Sequence, residues 1–442
     1  MNLKLWIYTS DDVLKEKVGV MMVFRCQAFL KKKEFNFNKM MKVLMLSSFS
    51  MMPISSLFAQ DIQTAMSVDE LKKEMIHRSE INLYPVYNIP PEIMKGIANE
   101  VKTLNIDEWT KAYIKVGDSY FSKGMSYENS DKEKAIYNFG MAQRLYNMGR
   151  WPAILTKSRE QSYKLEIKAF EAVQRLKGIN LERVESKYKN YNSVAYLVKP
   201  KQYNDKLPIV ISIGGLDGWK EARITQLSPL LDKGVAILSI DMPGTGQTEV
   251  KMGTDAEAVL FTLIEKVLQR NDIDQNRVVF YGGSFGGYWT TLLAARNKIK
   301  LAGVVDQSGP YSETFKPNKL GTVFEGKEYL YDSLPSLSNL IHGINGREQL
   351  LNAMEEQAID RLVPLPLKID SPILVIGGKH DSLVPQEDLL PLLFSEGDVR
   401  EAWINPNGIH MGRERGKNIK WDDKTISKEI IFPWILARLG LK

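Results

Sequence analysis

Cysteine is nearly absent from this chain: Cys26 is the one example in 442 residues. An intramolecular disulfide is therefore impossible, and so is a metal site built on thiolates. Histidine is almost as scarce, and His77, His342, His380 and His410 are dispersed rather than clustered. With no cluster of ligands in the sequence, neither a metal nor another cofactor is expected. A large excess of one charge is also lacking, since 59 Lys and Arg face 53 Asp and Glu for a net +6. The first 39 residues hold eight basic against four acidic side chains, so the remainder carries about +2, which gives no electrostatic case for a nucleic-acid partner. The uncharged segment from Val43 to Ile54 is short and Ser-rich and spans a membrane poorly.

What is present begins with a length too great for one small core, which suggests a large domain with an accessory one. Residues 1–39 do not read as a folded unit and are expected to be an upstream artefact or a disordered leader. Lys39-Met40-Met41-Lys42 then precedes the apolar segment, and Ala59 supplies a small residue before polar sequence. A positive n-region, an apolar h-region and a small residue at the exit describe a secretory signal over 40–59. Translation is expected to start at Met40 or Met41, with cleavage after Ala59, export to the periplasm or exterior, and no stable membrane insertion after cleavage.

From Asp61 to about Gly178 apolar residues recur at spacings of three and four, with Trp109, Tyr113, Val116 and Tyr120 on one helix face. Ser130-Asp131-Lys132-Glu133 reads as a capping box that opens a helix through about Met148; Trp151-Pro152 breaks it, and Ser158 to Leu176 forms another. Four or so helices over 61–178 are expected. After Gly178 the period becomes strand-like. Leu181 to Tyr188 and Val194 to Lys199 read as strands joined by a turn at Asn190 to Asn192, and Leu207 to Ile213 is the continuous apolar run of a strand buried on both faces. Strands at 235–240, 277–281, 301–306, 372–376 and 399–404 alternate with helices at 220–232, 254–270, 286–296 and 424–439. Such alternation predicts the α/β class, a mainly parallel doubly wound sheet over 179–442, with an insertion at 311–369.

The chemistry centres on Gly282-Gly283-Ser284-Phe285-Gly286, a G-x-S-x-G pattern between a strand and a helix. A serine at such a turn is strained, needs flanking glycine, and exposes its hydroxyl where helix amides can meet an anion. It also needs a base, and the base needs an acid. His410 lies in a Gly-containing loop after the last strand, where loops at the carboxyl ends of parallel strands converge on one crevice. Asp381 follows the strand Pro372 to Ile376, with Asp306 as the rival acid, and His380 is expected to face elsewhere. The order Ser284, Asp381, His410 is that of an α/β-hydrolase. The amide of Phe285 is one oxyanion donor, and Gly214-Gly215-Leu216 offers a second, Leu216 in preference to Gly215.

A helical N-terminal part followed by Gly-Gly-Leu-Asp-Gly-Trp-Lys-Glu at 214–221, Asp-Met-Pro-Gly-Thr-Gly at 241–246 and Gly-Gly-Ser-Phe-Gly-Gly at 282–287 resembles the α/β-hydrolase branch of esterases related to the fermentation-respiration switch protein. That group also contains dihydroxypseudooxynicotine hydrolase, which cleaves a carbon-carbon bond. The likeness covers roughly residues 90–440. It implies an α/β-hydrolase fold with an N-terminal helical lid over the pocket, a triad on Ser284, Asp381 and His410, and oxyanion donors at Phe285 and the 215–216 turn. It also implies a small-molecule ester as substrate. The apparent export signal departs from the group and argues against a cytoplasmic metabolic role. Tyr311, Phe315, Phe324, Tyr329 and Tyr331 in the insertion suggest an aromatic or apolar substrate group, while Glu221, Asp241 and Glu325 have no assignable role. Alternatives are hydrolysis of a β-diketone-like carbon-carbon bond with the same residues, a peptidase, disfavoured because no propeller-like repeats precede the sheet, or an inactive binding module. Homodimer assembly stays open.

Overall fold

A computed structural model of the chain describes residues 20–24, 62, 64–323 and 328–441. The expected signal segment, Cys26, Phe324 and Glu325 fall outside the described residues. Within them, five helices lie between the first and second strands of the main sheet: α1 Val68–Glu80, α2 Pro91–Glu100, α3 Ile106–Tyr127, α4 Lys132–Arg150 and α5 Lys157–Leu176. Trp109 and Tyr113 are buried on the predicted face of α3, with Val116 and Tyr120 packed against the same cluster. The start of α4 lies one residue from the expected capping box. Asp131, not Ser130, is the N-cap and accepts the Lys134 amide at 3.0 Å.

The sheet has nine strands: β1 Val20–Phe24, β2 Leu181–Tyr188, β3 Tyr191–Val198, β4 Leu207–Ile213, β5 Ala236–Ile240, β6 Ile273–Gly283 and β7 Gly303–Gln307, then β9 Ile373–Gly378 and β11 Arg400–Asn405. The short pair β8 Lys368–Ile369 and β10 Glu396–Gly397 forms a separate ribbon. The order in space is β1-β11-β9-β7-β6-β4-β5-β3-β2. From β5 to β11 every neighbour pair is parallel, while β2–β3 and β1 close the two edges antiparallel. The β2–β3 hairpin turns through Lys189 and Asn190, with Lys189 at φ +52°, earlier in the chain than the expected Asn190–Asn192 turn.

Alternation along the central strands divides the core. Ile209, Ile211 and Ile213 face one layer, which includes α7 Ala256–Leu268 and α8 Phe285–Ala295. Val210 and Ile237 face the other, with α6 Lys220–Leu227 and the last helical segment, Phe432–Arg438. Layers on both faces of a parallel sheet explain why β4 needs no polar alternation. The helical part joins this body through the insertion: Tyr329, Leu330 and Tyr331 enter the core of α1–α4, with Trp151 ring centroids 5.1 Å and 4.8 Å from Tyr329 and Tyr331. No helix among the described residues is long and apolar enough to cross a membrane.

Candidate active site

Strand β6 occupies the centre of the sheet, between β4 and β7, and its carboxyl end delivers Ser284 to the start of α8. Ser284 adopts φ +55° and ψ −132°, a conformation costly for a residue with a side chain. The strain is held by backbone bonds, with the Ser284 N–H donating to the Gln307 carbonyl at 2.8 Å and the Ser284 carbonyl accepting from Gly287 at 2.7 Å. The flanking glycines are steric necessities. A Cβ on Gly282 would stand 2.1 Å from the Gly286 carbonyl oxygen, and one on Gly286 would stand 2.2 Å from that of Ile213. Both obstacles are backbone of packed elements, which cannot rotate aside.

Asp381 and His410 come together from the exits of adjacent strands β9 and β11. His410 Nδ1 lies 2.9 Å from Asp381 Oδ2 and 3.2 Å from Oδ1. The Lys379 amide donates to the Asn405 carbonyl at 2.9 Å and the His380 amide to that of Gly408 at 2.8 Å, which stitches the two loops together. Asp381 Oδ1 also accepts the amides of Leu383 and Val384, each at 2.9 Å. Burial alone would lower the His410 pKa, but the Asp381 carboxylate, with help from Glu328, raises it above the ordinary histidine value. His77, His342 and His380 are exposed, whereas His410 is buried. The rival acid Asp306 is engaged elsewhere. It accepts the Thr291 hydroxyl and the Gly309 amide, each at 2.7 Å, and burial pushes its carboxyl up to about 6.

Phe285 is the first residue of α8, where a backbone N–H has no partner within the helix. Gly215 packs against the serine turn, since a Cβ there would be 3.6 Å from Ser284 Cβ and 3.9 Å from the Phe285 nitrogen. The Gly215 N–H is used in a turn, donating to the Gly218 carbonyl at 2.9 Å. The Leu216 N–H makes no hydrogen bond among the described residues. Neither does Ser284 Oγ; such bonds often close only around a bound substrate.

Three further side chains complete the region. Gln307 is fully buried; its Oε1 accepts the Tyr281 hydroxyl at 2.7 Å and its Nε2 donates to the Met411 carbonyl at 2.9 Å. Glu328, in the insertion, accepts the His410 amide at 2.7 Å and the Ser382 hydroxyl at 2.6 Å. Lys220 is buried behind the Gly214–Gly218 turn, with Nζ 2.8 Å from Glu221 Oε1 and 2.9 Å from Asp241 Oδ2. This gives Glu221 and Asp241 the structural role that the sequence left open. Burial raises the Glu221 carboxyl to about 7, against the attraction of Lys220. Only spatial proximity reveals Gln307 and Glu328, because no spacing rule links them to the serine.

Ser284, Phe285, Gly215, Leu216 and His410 line one cavity of about 570 Å³, within the range of small-molecule sites. The helical part supplies Tyr84, Tyr87 and Trp151 to its wall, and the insertion supplies Leu320, Ser333 and Leu337. Phe315 packs edge-on to Phe285 beneath it, at 5.9 Å between ring centroids. Trp151 Nε1 donates to Asp217 Oδ2 at 3.1 Å, and the Tyr84 hydroxyl donates to the same carboxylate, so helical-part side chains hold the residue after Leu216.

A family model described as "FrsA-like: Esterase FrsA-like" matches residues 99–425. The chain is 25% identical over 331 residues to Esterase FrsA of Vibrio cholerae serotype O1, a match covering 72% of this chain and 77% of the relative. Among solved structures it is similar to AbyA5, with TM-score 0.60, 18% identity, and coverage of 86% of this chain and 96% of the other. It is also similar to the 2,6-dihydroxy-pseudo-oxynicotine hydrolase, with TM-score 0.58, 17% identity, and coverage of 73% and 87%. At these identities the two structures speak to the α/β-hydrolase fold alone.

Proposed function

The chain belongs to the FrsA-like esterase family, and from that premise we propose that it is a serine hydrolase that cleaves small carboxylic esters through an acyl-enzyme. The observation that carries this reading is the 2.9 Å contact between His410 and Asp381, on a cavity shared with the strained Ser284. In this mechanism Asp381 fixes the His410 tautomer with the proton on Nδ1, which leaves Nε2 to accept the Ser284 proton as Oγ attacks the ester carbonyl. The oxyanion meets the amides of Phe285 and Leu216; Gly215 is the weaker candidate because its N–H already has an acceptor. Collapse breaks the bond to the alcohol, which leaves with the proton from His410. Water, deprotonated by His410, then attacks the Ser284 acyl ester and releases the acid. The insertion side of the cavity, with Leu320 and Leu337, suits an apolar portion of the substrate.

The test is a Ser284→Ala variant with unchanged thermal stability, assayed over acyl chain lengths and aryl esters beside a β-diketone. Turnover lost with Ala, together with fluorophosphonate labelling of the wild type at Ser284, supports the reading. Ester turnover retained by Ala refutes it, and cleavage of the diketone alone would assign the same residues to carbon-carbon hydrolysis. The reading includes export: an N-terminus beginning at Gln60 in protein recovered from the producing cells supports it, and one beginning at Met1 overturns it.

A further inference from the structure

The cavity wall carries a guanidinium that none of its carboxylates faces. Four acids stand on its wall, and each is engaged. Glu166 pairs with Arg150 at 2.9 Å, Asp217 accepts from Trp151 at 3.1 Å, Glu328 accepts the His410 amide at 2.7 Å, and Asp423 faces Arg413 at 3.3 Å. Arg223 lines the same cavity, is 7% exposed, and has no carboxylate partner among the described residues. Its Nη1 donates to Gln226 Oε1 at 2.7 Å and lies 3.5 Å from the Tyr281 hydroxyl, while its Nη2 reaches the Gly283 carbonyl at 3.4 Å. These acceptors are neutral, and the guanidinium otherwise rests 5.2 Å from the Tyr281 ring. A cation withdrawn from water without a counter-charge is expensive to maintain. Its Nε makes no hydrogen bond among the described residues, so the edge of the fork formed by Nε and the weakly held Nη2 has donors to spare. That edge stands at the serine turn: a Cβ on Gly283 would lie 2.5 Å from Nη2. On α4, Arg144 is a second cavity-lining guanidinium with no carboxylate partner among the described residues.

We propose that Arg223 is a binding site for a carboxylate carried by the substrate, so that the esters this protein hydrolyses are acidic ones, such as half-esters of dicarboxylic acids. A carboxylate matches the planar fork with two parallel hydrogen bonds and supplies the missing counter-charge. Arg144 adds to the attraction along the cavity. The proposal rests on the serine-hydrolase reading, and the experiment below separates the two.

The probes are 4-nitrophenyl hydrogen glutarate and its neutral methyl ester, which differ by one charge at nearly constant shape. The wild type should favour the acid by about tenfold or more in kcat/KM, expressed mainly in KM, as expected for one charge-assisted contact. Arg223→Met should abolish the preference, with kcat/KM on the acid falling by about tenfold more than on the neutral ester, and Arg223→Lys, which keeps the charge without the fork, should restore part of it. Equal rates on both esters by the wild type, or an equal loss on both in Arg223→Met with Arg223→Lys no better, overturns the proposal. If neither ester is turned over, protection of Ser284 from fluorophosphonate by glutarate but not glutaramide supports the proposal, and no difference between them overturns it. Failure of fluorophosphonate to label Ser284 counts against the hydrolase reading instead. Calorimetric binding of glutarate to wild type and Arg223→Met then decides the Arg223 site by itself, lost binding in the variant supporting it and equal or absent binding overturning it.

Discussion

Gln307 ties Ser284 to the loop that carries His410: its backbone carbonyl accepts the serine amide at 2.8 Å, and its side-chain amide donates to the carbonyl of Met411 at 2.9 Å. One fully buried residue thus touches both the Ser284 turn and the His410 loop. Gln307→Glu keeps an acceptor for the Tyr281 hydroxyl but places a carboxylate oxygen against the Met411 carbonyl, where a donor is required. The expected result is a kcat lowered by about tenfold to a hundredfold with KM within about twofold, because small displacements of reacting groups cost rate more than binding. Gln307→Met, which is apolar and of similar length, should fall between wild type and Glu. A rise in KM with kcat preserved would contradict this positioning role.

The pH dependence follows from the His410 environment. In the proposed mechanism the imidazole must be neutral to take the serine proton, and Asp381 holds its pKa above the ordinary histidine value despite burial. The acidic limb of kcat/KM should therefore rise with pH through a midpoint above about 6.5. In Asp381→Asn the carboxylate that raises the pKa is gone, so the residual limb should shift to lower pH while the rate falls by about 10³ to 10⁴. A limb that stayed in place would mean that another group titrates.

Much of the fold was legible because its signals are local. The apolar run of β4 follows from a strand covered on both faces, and the G-x-S-x-G turn is readable because Gly282 and Gly286 meet backbone where a Cβ would sit. Asp381 and His410 are readable as candidates from their place after strands, a rule of parallel sheets that needs no contact information. Gln307, Glu328 and Arg223 were not legible, since each acts through partners distant in sequence; Glu328 stands 82 residues before the amide it accepts. The start of α4 shows the limit at short range. Ser130 and Asp131 are both good caps by type, and only the extended backbone and the accepted Lys134 amide single out Asp131.

The helical part should influence chemistry through Arg150 at the end of α4. Its Nη1 donates to the Asp217 carbonyl at 2.8 Å, its Nε pairs with Glu166 at 2.9 Å, and its guanidinium stacks 3.6 Å from the Trp219 ring centre. Arg150→Met strands a buried carboxylate and should cost about 3–5 kcal/mol of stability. The double variant Arg150→Met with Glu166→Leu removes both charges and should recover most of that loss. Its kcat should nonetheless stay about tenfold low, because the turn that presents the Leu216 amide has lost its anchor. Calorimetric melting beside steady-state kinetics checks both halves, and full recovery of kcat in the double variant would separate the helices from the oxyanion turn.

Asp306 and Asp381 are both carboxylates at the carboxyl end of the sheet, yet they should respond oppositely to amidation. Asp306→Asn should leave ester hydrolysis within about threefold, since its oxygens serve Thr291 and Gly309. The consequence of its raised pKa lies in stability. Burial lifts Asp306 from the usual carboxylate value to about 6, so the folded state holds its proton more tightly than the unfolded chain does. Its contribution is therefore fully present below about pH 4 and is lost as pH rises through about 6, a change on the order of 2–3 kcal/mol. Asp306→Asn does not titrate, so its unfolding free energy relative to wild type should improve by that amount between pH 4 and pH 7. Urea melts at those two values measure it directly. A difference independent of pH would mean that Asp306 is ionised in the folded protein throughout, and that Thr291 and Gly309 stabilise the charge.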